Sequence, residues 1–182
     1  MSFNCPYFIK EFQDYVLKRN FATALEVGCL SGELKDALER VGVSVDGIDL
    51  FPQRDDVVQC DIRDFDADGD EYDLVFSSGL LEYYPRQKAR EIVEAMANVG
   101  EYILNYVPNK NCLAYQNAKK RTPVAWKDER DFTADELALL HEEAGLWVIE
   151  TGFAGKEWVK RFGPEESEPY LVYCLAKRKK RK

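Results

Sequence analysis

The chain has little of what metal and disulfide chemistry require. It holds a single histidine, His141, too few for a histidine-rich metal centre. Its five cysteines (Cys5, Cys29, Cys60, Cys112, Cys174) are scattered, odd in number and without a Cys-x-x-Cys pair. That spacing argues against a zinc site or a disulfide framework and for a reducing compartment. No stretch approaches the ~20 continuous apolar residues of a membrane span. Glu11 and Asp14 interrupt the first twenty residues, where an export signal needs an apolar core. A cytoplasmic protein with no metal and no membrane partner is expected.

What is present fits a globular domain. With 182 residues, of which 46% are hydrophobic, the chain can bury a core without covalent staples. Net charge is -8, unevenly placed, because Lys177 to Lys182 are all basic. Without those six, nineteen basic residues face thirty-three acidic ones. So acidic a body repels a nucleic-acid backbone, which makes nucleic acid an unlikely partner despite the basic end. Residues 1–176 read as one domain and 177–182 as a disordered, solvated tail.

Apolar spacing sets out the elements. Tyr7, Phe8, Phe12, Tyr15 and Val16 fall at helical spacing, which predicts an amphipathic helix over residues 6–19. Ala22 to Val27 reads as a first strand, Glu33 to Arg40 as a helix, and Val43 to Asp49 as a second strand. Only seven residues, Leu50 to Asp56, then lead to Val57-Val58. A full crossover helix needs ~10 or more, so this one is expected to shrink to a turn around Pro52. Val57 to Cys60 follows as a short strand, Asp64 to Asp70 as a polar loop and Tyr72 to Ser77 as a buried strand. A helix from Arg86 to Ala97 and a strand from Tyr102 to Val107 come next. Thr133-Ala134-Asp135-Glu136 is a capping box that opens a helix to about Ala144, with Gly145 as its stop. Trp147 to Phe153 and Tyr170 to Ala176 add two strands. This order predicts an α/β fold, Rossmann-like and doubly wound, with a mainly parallel seven-stranded sheet and an antiparallel edge strand.

The chemistry gathers at the ends of the first two strands. Ala24-Leu25-Glu26-Val27-Gly28-Cys29-Leu30-Ser31-Gly32 is an apolar strand running into a glycine turn, and Asp49 closes the second strand. A glycine turn lets backbone approach a ligand, and a carboxylate at a strand end receives ribose hydroxyls. Together they describe a nucleoside pocket. Leu30 stands where a dinucleotide fingerprint has its second glycine and would crowd a pyrophosphate. An NAD-linked oxidoreductase is therefore the weaker reading.

Four stations in register resemble the class I S-adenosylmethionine-dependent methyltransferases. Leu25-Glu26-Val27-Gly28-Cys29-x-x-Gly32 resembles the first motif of that family, and Gly47-Ile48-Asp49 its ribose-binding acid. Cys60-Asp61-Ile62 resembles its adenine-contacting segment. Tyr72 to Ser78 followed by Leu80-Leu81-Glu82-Tyr83 resembles its fourth-strand motif, where small-molecule members often carry Leu-Glu-His. The likeness covers residues ~22 to 108. Beyond them it is weaker, towards small bacterial proteins of the methionine-biosynthesis W type. Leu30 for the middle glycine, Tyr83 for the histidine and the short second crossover depart from the pattern.

The resemblance implies S-adenosylmethionine as cofactor and a small-molecule acceptor. It assigns cofactor contacts to Glu26, Gly28, Cys29, Gly32, Asp49, Leu50, Asp61, Ile62 and Ser77. Glu26 would hold the turn and the methionine amino group, or serve only as a strand-end cap. Asp49 would accept both ribose hydroxyls, since a carboxylate offers two oxygens, or cap the following turn. Leu50 and Phe51 would pack beside adenine or belong to the core. Asp61 would accept from the adenine amino group while Ile62 offers its backbone N–H, although the acidic run to Asp70 also suits a solvated loop. Ser77 and Ser78 would face the reactive methyl. Tyr83, with Tyr84, would shape the acceptor pocket or position a catalytic base, or simply pack.

Asn109 to Asp131, with Tyr115, Trp126 and Lys119-Lys120-Arg121, reads either as an acceptor lid or as a solvated helix end. His141, beside Glu142 and Glu143, reads as a surface residue. A methyltransferase-like domain that binds cofactor or a partner without catalysis is the alternative to an active enzyme.

Overall fold

The computed structural model describes residues 6–67, 69, 71–121, 129–162 and 167–179. Helix α1 (Pro6–Leu17) leads into β1 (Thr23–Val27), α2 (Glu33–Glu39) and β2 (Ser44–Asp49), followed by β3 (Val58–Gln59) and β4 (Tyr72–Ser78). A single 3-10 turn, Leu81–Tyr83, precedes α3 (Arg86–Val99) and β5 (Gly100–Pro108). The chain continues through α4 (Leu113–Arg121), α5 (Ala134–Glu143), β6 (Trp147–Ala154), α6 (Lys156–Phe162) and β7 (Leu171–Lys177). Among the described residues no helix is long and apolar enough to cross a membrane.

The strands form one sheet in the order β3-β2-β1-β4-β5-β7-β6. Strands β1 to β5 are parallel, β7 runs antiparallel to β5, and the edge strand β6 pairs antiparallel with β7. The chain winds outward from β1 to β3, then returns to lay β4 on the other side of β1. Open α/β sheets bind their ligands beyond the carboxyl ends of the strands at such a reversal.

Alternation along the strands divides the core in two. Val75 and Ile103 pack beneath α3 and α5 against Ile92, Met96, Leu137 and Leu140. Leu74, Phe76 and Leu104 pack on the opposite face against Phe8 and Phe12 of α1 and Leu34 and Leu38 of α2. Phe8, Phe12 and Val16 recur every four residues and are buried, so α1 presents one stripe to the sheet. Each such phenylalanine contributes roughly 1.5–3 kcal/mol by burial.

The mainly parallel seven-stranded sheet and the capping box follow the sequence reading. Thr133 Oγ1 accepts the Glu136 N–H at 3.1 Å and Glu136 Oε2 accepts the Thr133 N–H at 2.8 Å. The β2–β3 crossover contains no helix; residues 50–57 are bends and turns.

Two expectations need correction. His141 is fully buried, not on the surface. It falls four residues after Leu137, on the stripe by which α5 meets the sheet. The basic end begins inside the fold, since Lys177 is the last residue of β7 and pairs with Tyr102. Its Nζ lies 2.8 Å from Glu101, and the Arg178 N–H donates to the Glu101 carbonyl at 2.9 Å. Residues 180–182 lie outside the described residues. Helix α4 ends on Lys119, Lys120 and Arg121, in keeping with the helix-end reading of that run, whereas α6 and the 3-10 turn were not anticipated; Trp126 lies outside the described residues.

Candidate functional site

The glycine turn after β1 is built from backbone hydrogen bonds. The N–H groups of Gly28 and Cys29 both donate to the Ile48 carbonyl, at 2.9 and 3.1 Å, which ties the turn to β2. Gly28 has φ 77°, a left-handed conformation that a side chain resists. A Cβ there would sit 3.1 Å from Leu80 Cδ1. Gly32 has φ 71°, and a Cβ on it would lie 2.8 Å from Arg54 Nη1. Leu30 also has positive φ, at 42°.

Two carboxylates hold this turn. Asp49 Oδ2 accepts the Leu30 N–H at 2.9 Å, and its Oδ1 accepts the Phe51 N–H at 2.7 Å. Glu26 is buried, and its Oε2 accepts the Lys35 N–H at 2.9 Å and the Cys29 thiol at 3.2 Å. It therefore caps the first turn of α2, and burial pushes its carboxyl up to about 7. Burial, then the neighbouring Glu26, raises the Cys29 thiol as well.

The short crossover closes back onto the turn. The Gln53 N–H donates to the Leu30 carbonyl at 3.0 Å. Arg54 Nη1 reaches Asp36 on α2 at 2.7 Å, and Arg54 Nη2 reaches Asp56 at 2.7 Å. Residues 50–57 thus form a strap fastened to the middle of the glycine turn and to α2.

Between strap, turn and α3 lies an open cleft. Gly28, Asp49, Leu50, Asp61 and Ile62 line it, as the sequence led us to expect, together with Phe51. Its opposite wall comes from Leu80 and from Tyr84, Lys88 and Ile92. The last three recur every four residues, a signal present in the sequence that the motif reading passed over. Lys88 Nζ stands 4.9 Å from the centre of the Tyr84 ring. At the cleft edge, Asp61 receives Arg63 through Nε at 2.9 Å, and this pairing holds its carboxyl down at about 2.

Other expected residues lie elsewhere. The Cys29 thiol turns inward against Gly47, where an added Cβ would come within 2.7 Å of the sulfur. Glu26 faces α2, and Gly32 faces Arg54 rather than the cleft. Ser77 is fully buried, accepting from Asn105 Nδ2 at 2.7 Å. Asn105 Oδ1 lies 2.7 Å from His141 Nε2, and His141 Nδ1 lies 2.9 Å from the Leu137 carbonyl. Ser77 therefore belongs to a buried polar chain under α5. This corrects its expected place beside the methyl, because the alternation of β4 turns it into the core with Val75. Burial holds the His141 imidazole down at about 4.

Tyr83 is half exposed, and its phenol donates to Glu129 Oε1 at 2.9 Å. Tyr115 donates to Glu129 Oε2, also at 2.9 Å. Burial and Glu129 both raise the Tyr83 phenol, which makes it a poor proton donor. Glu129 was not singled out in the sequence, where nothing in its local pattern marks it.

Comparison with known proteins agrees with this geometry. A family model described as a methyltransferase domain matches residues 5–151. The chain is similar to magnesium protoporphyrin IX methyltransferase from Synechocystis PCC 6803, solved with S-adenosylhomocysteine bound. The TM-score is 0.69 at 15% identity, over 94% of this chain and 82% of that one. A S-adenosylmethionine-dependent methyltransferase from Archaeoglobus fulgidus gives a TM-score of 0.68 at 15% identity, over 93% and 94% of the two chains. A putative methyltransferase from Haloferax volcanii, solved with its activator Trm112, gives 0.65 at 16% identity, over 96% and 94%. Among curated protein sequences there is no match. The family match covers most of the chain. The chain belongs to the class I S-adenosylmethionine-dependent methyltransferase domain family.

Proposed function

We propose that this chain transfers a methyl group from S-adenosylmethionine to a small molecule. The observation that carries the reading is the cleft itself: a strand-end carboxylate, Asp49, beside apolar walls from Ile48, Ile62, Leu80 and Ile92. An adenosyl group needs a hydroxyl acceptor and an apolar slot, and it carries no phosphate. The residues fit it. Leu30 in place of a glycine is compatible with such a ligand and unsuited to a pyrophosphate.

In this reading Asp49 keeps lone pairs free for the ribose hydroxyls after accepting the two backbone N–H groups. Leu50, Phe51 and Ile62 pack the adenine, and Asp61 at the cleft edge accepts from its amino group. Gly28 lets the chain approach the sulfur end, while Glu26 and Gly32 keep the turn in shape. Bound there, the cofactor supplies an activated methyl on a sulfonium. The protein's contribution is alignment, which lets one bound reactant meet the other without the entropy cost of a bimolecular encounter. Tyr83, with Glu129 behind it, stands on the acceptor side. The Synechocystis neighbour acts on a small molecule, magnesium protoporphyrin IX, which supports the substrate class without naming an acceptor.

Calorimetry with S-adenosylhomocysteine and with NAD tests the cofactor. Binding of the former and not the latter is expected; the reverse overturns the reading. Turnover against a panel of acceptors then separates an enzyme from a domain that only binds.

A further inference from the structure

Beyond the cofactor cleft, the carboxyl ends of β4 and β5 hold a second polar group that the methyl-transfer reading leaves unused. Glu82, in the 3-10 turn after β4, has no exposed surface, and among the described residues no other residue gives either of its carboxylate oxygens a hydrogen bond. Buried carboxyls are ordinarily paired, because desolvating one without a partner is costly. Glu129 lies close enough for its charge to act on Glu82. Its own two oxygens take the phenols of Tyr83 and Tyr115. The Arg130 N–H, next in the chain, donates to the Glu82 carbonyl at 2.9 Å and joins the two segments. Tyr170 packs on Tyr115 with ring centres 5.6 Å apart and feels both carboxylates. Among the described residues no lysine or arginine side chain is paired with either carboxylate. Lys119 is committed to Asp131 at 2.5 Å and to the Glu129 backbone carbonyl at 3.2 Å.

The place is right for an acceptor. The cofactor cleft occupies the β1–β2 side of the sheet reversal, so the second reactant belongs on the β4–β5 side. Tyr83 is 43% exposed and bonded to Glu129, which puts Glu129 one hydrogen bond inward from solvent. Resting on the methyltransferase reading, we propose that Glu82 and Glu129 form an acceptor subsite that takes the amino group of a small amine. An amine brings the several donors that the orphaned oxygens lack, whereas an alcohol brings one. The ammonium form adds attraction to the Glu129 carboxylate and to the tyrosine rings around it, and its charge favours ionisation of Glu82.

Calorimetry on the full chain tests this with phenethylamine against 2-phenylethanol and butylamine against 1-butanol, in the presence of S-adenosylhomocysteine. Each amine is expected to bind about tenfold or more tighter than its matched alcohol, the size of one charge-assisted hydrogen bond. Glu82→Gln should bring that preference close to unity and leave S-adenosylhomocysteine affinity unchanged. Should Glu82→Gln fail to fold, Glu129→Gln carries the same expectation. Equal affinity for amine and alcohol in the wild-type chain, or a preference that survives both substitutions, overturns the subsite. Titrating S-adenosylhomocysteine first keeps the two ideas apart. Its failure to bind defeats the methyltransferase reading, while binding without an amine preference defeats the subsite alone.

Discussion

The Asp49 carboxylate accepts the backbone N–H of Leu30 at 2.9 Å. That contact holds a leucine at φ 42°, a conformation that costs an L residue roughly 1–2 kcal/mol on its own. One carboxyl group thus shapes the turn and, with its remaining lone pairs, offers acceptors to a ligand.

Replacing it should expose both roles. Asp49→Ala is expected to weaken S-adenosylhomocysteine binding by on the order of 1–3 kcal/mol, the penalty for unpairing buried polar groups. Asp49→Asn, which keeps one acceptor oxygen, should lose less. Isothermal titration reads the difference, and unchanged affinity in the alanine variant removes Asp49 from the ligand site.

Gly28 makes a second prediction. Gly28→Ala places a Cβ 3.1 Å from Leu80 at φ 77°, which should lower stability by about 1–2 kcal/mol through backbone strain alone. Adding Leu80→Ala relieves the contact but not the strain. Thermal unfolding of the single and double variants should therefore show only partial recovery; full recovery would mean that crowding, and not φ, sets the cost.

On the acid side the protein should weaken through His141. Its imidazole titrates near 4 in the fold against 6.5 when free. Between those values the unfolded chain takes up a proton that the folded chain refuses. Stability is therefore expected to fall by about 3 kcal/mol as pH drops from 6.5 to 4. Urea midpoints across that range, compared with His141→Gln, check it. A variant with an equally steep acid limb places the loss elsewhere.

On the other side the sign reverses. Glu82 titrates near 8 and Glu26 near 7, both raised chiefly by burial from 4.5. Each favours folding fully below 4.5, and that contribution is lost as pH rises through the folded value. Glu82→Gln, which has no proton to lose, should gain on the order of 4 kcal/mol relative to wild type between pH 5 and pH 9. Denaturant titrations at the two pH values measure it, and a constant gap would show that Glu82 is ionised in the fold at both.

The cleft floor was legible because its signals are local. A strand ending in glycine and a strand ending in aspartate can each be read from a few neighbours, and the crossover between β2 and β3 was short enough to count. What escaped depends on direction and distance. Ser77 sits where a motif places a ligand contact, but the alternation of β4 points it at Asn105. His141 was judged by Glu142 and Glu143 beside it, when its spacing from Leu137 and Leu140 decides its burial. Glu129 joins Tyr83 across forty-six positions, and no local pattern records a pairing of that reach. The basic run Lys119, Lys120 and Arg121 marked the end of α4, but nothing local marked the burial of Ala114 and Tyr115 at its start.

The missing helix between β2 and β3 has a mechanical consequence. Residues 50–57 supply the cleft's outer rim through Leu50 and Phe51, and the same segment grips the glycine turn through Gln53 and Arg54. Rim and floor are therefore one part. Any motion that widens the entrance must pull on Leu30 and Asp36, so a ligand's admission and the shape of the surface that receives it cannot be tuned separately.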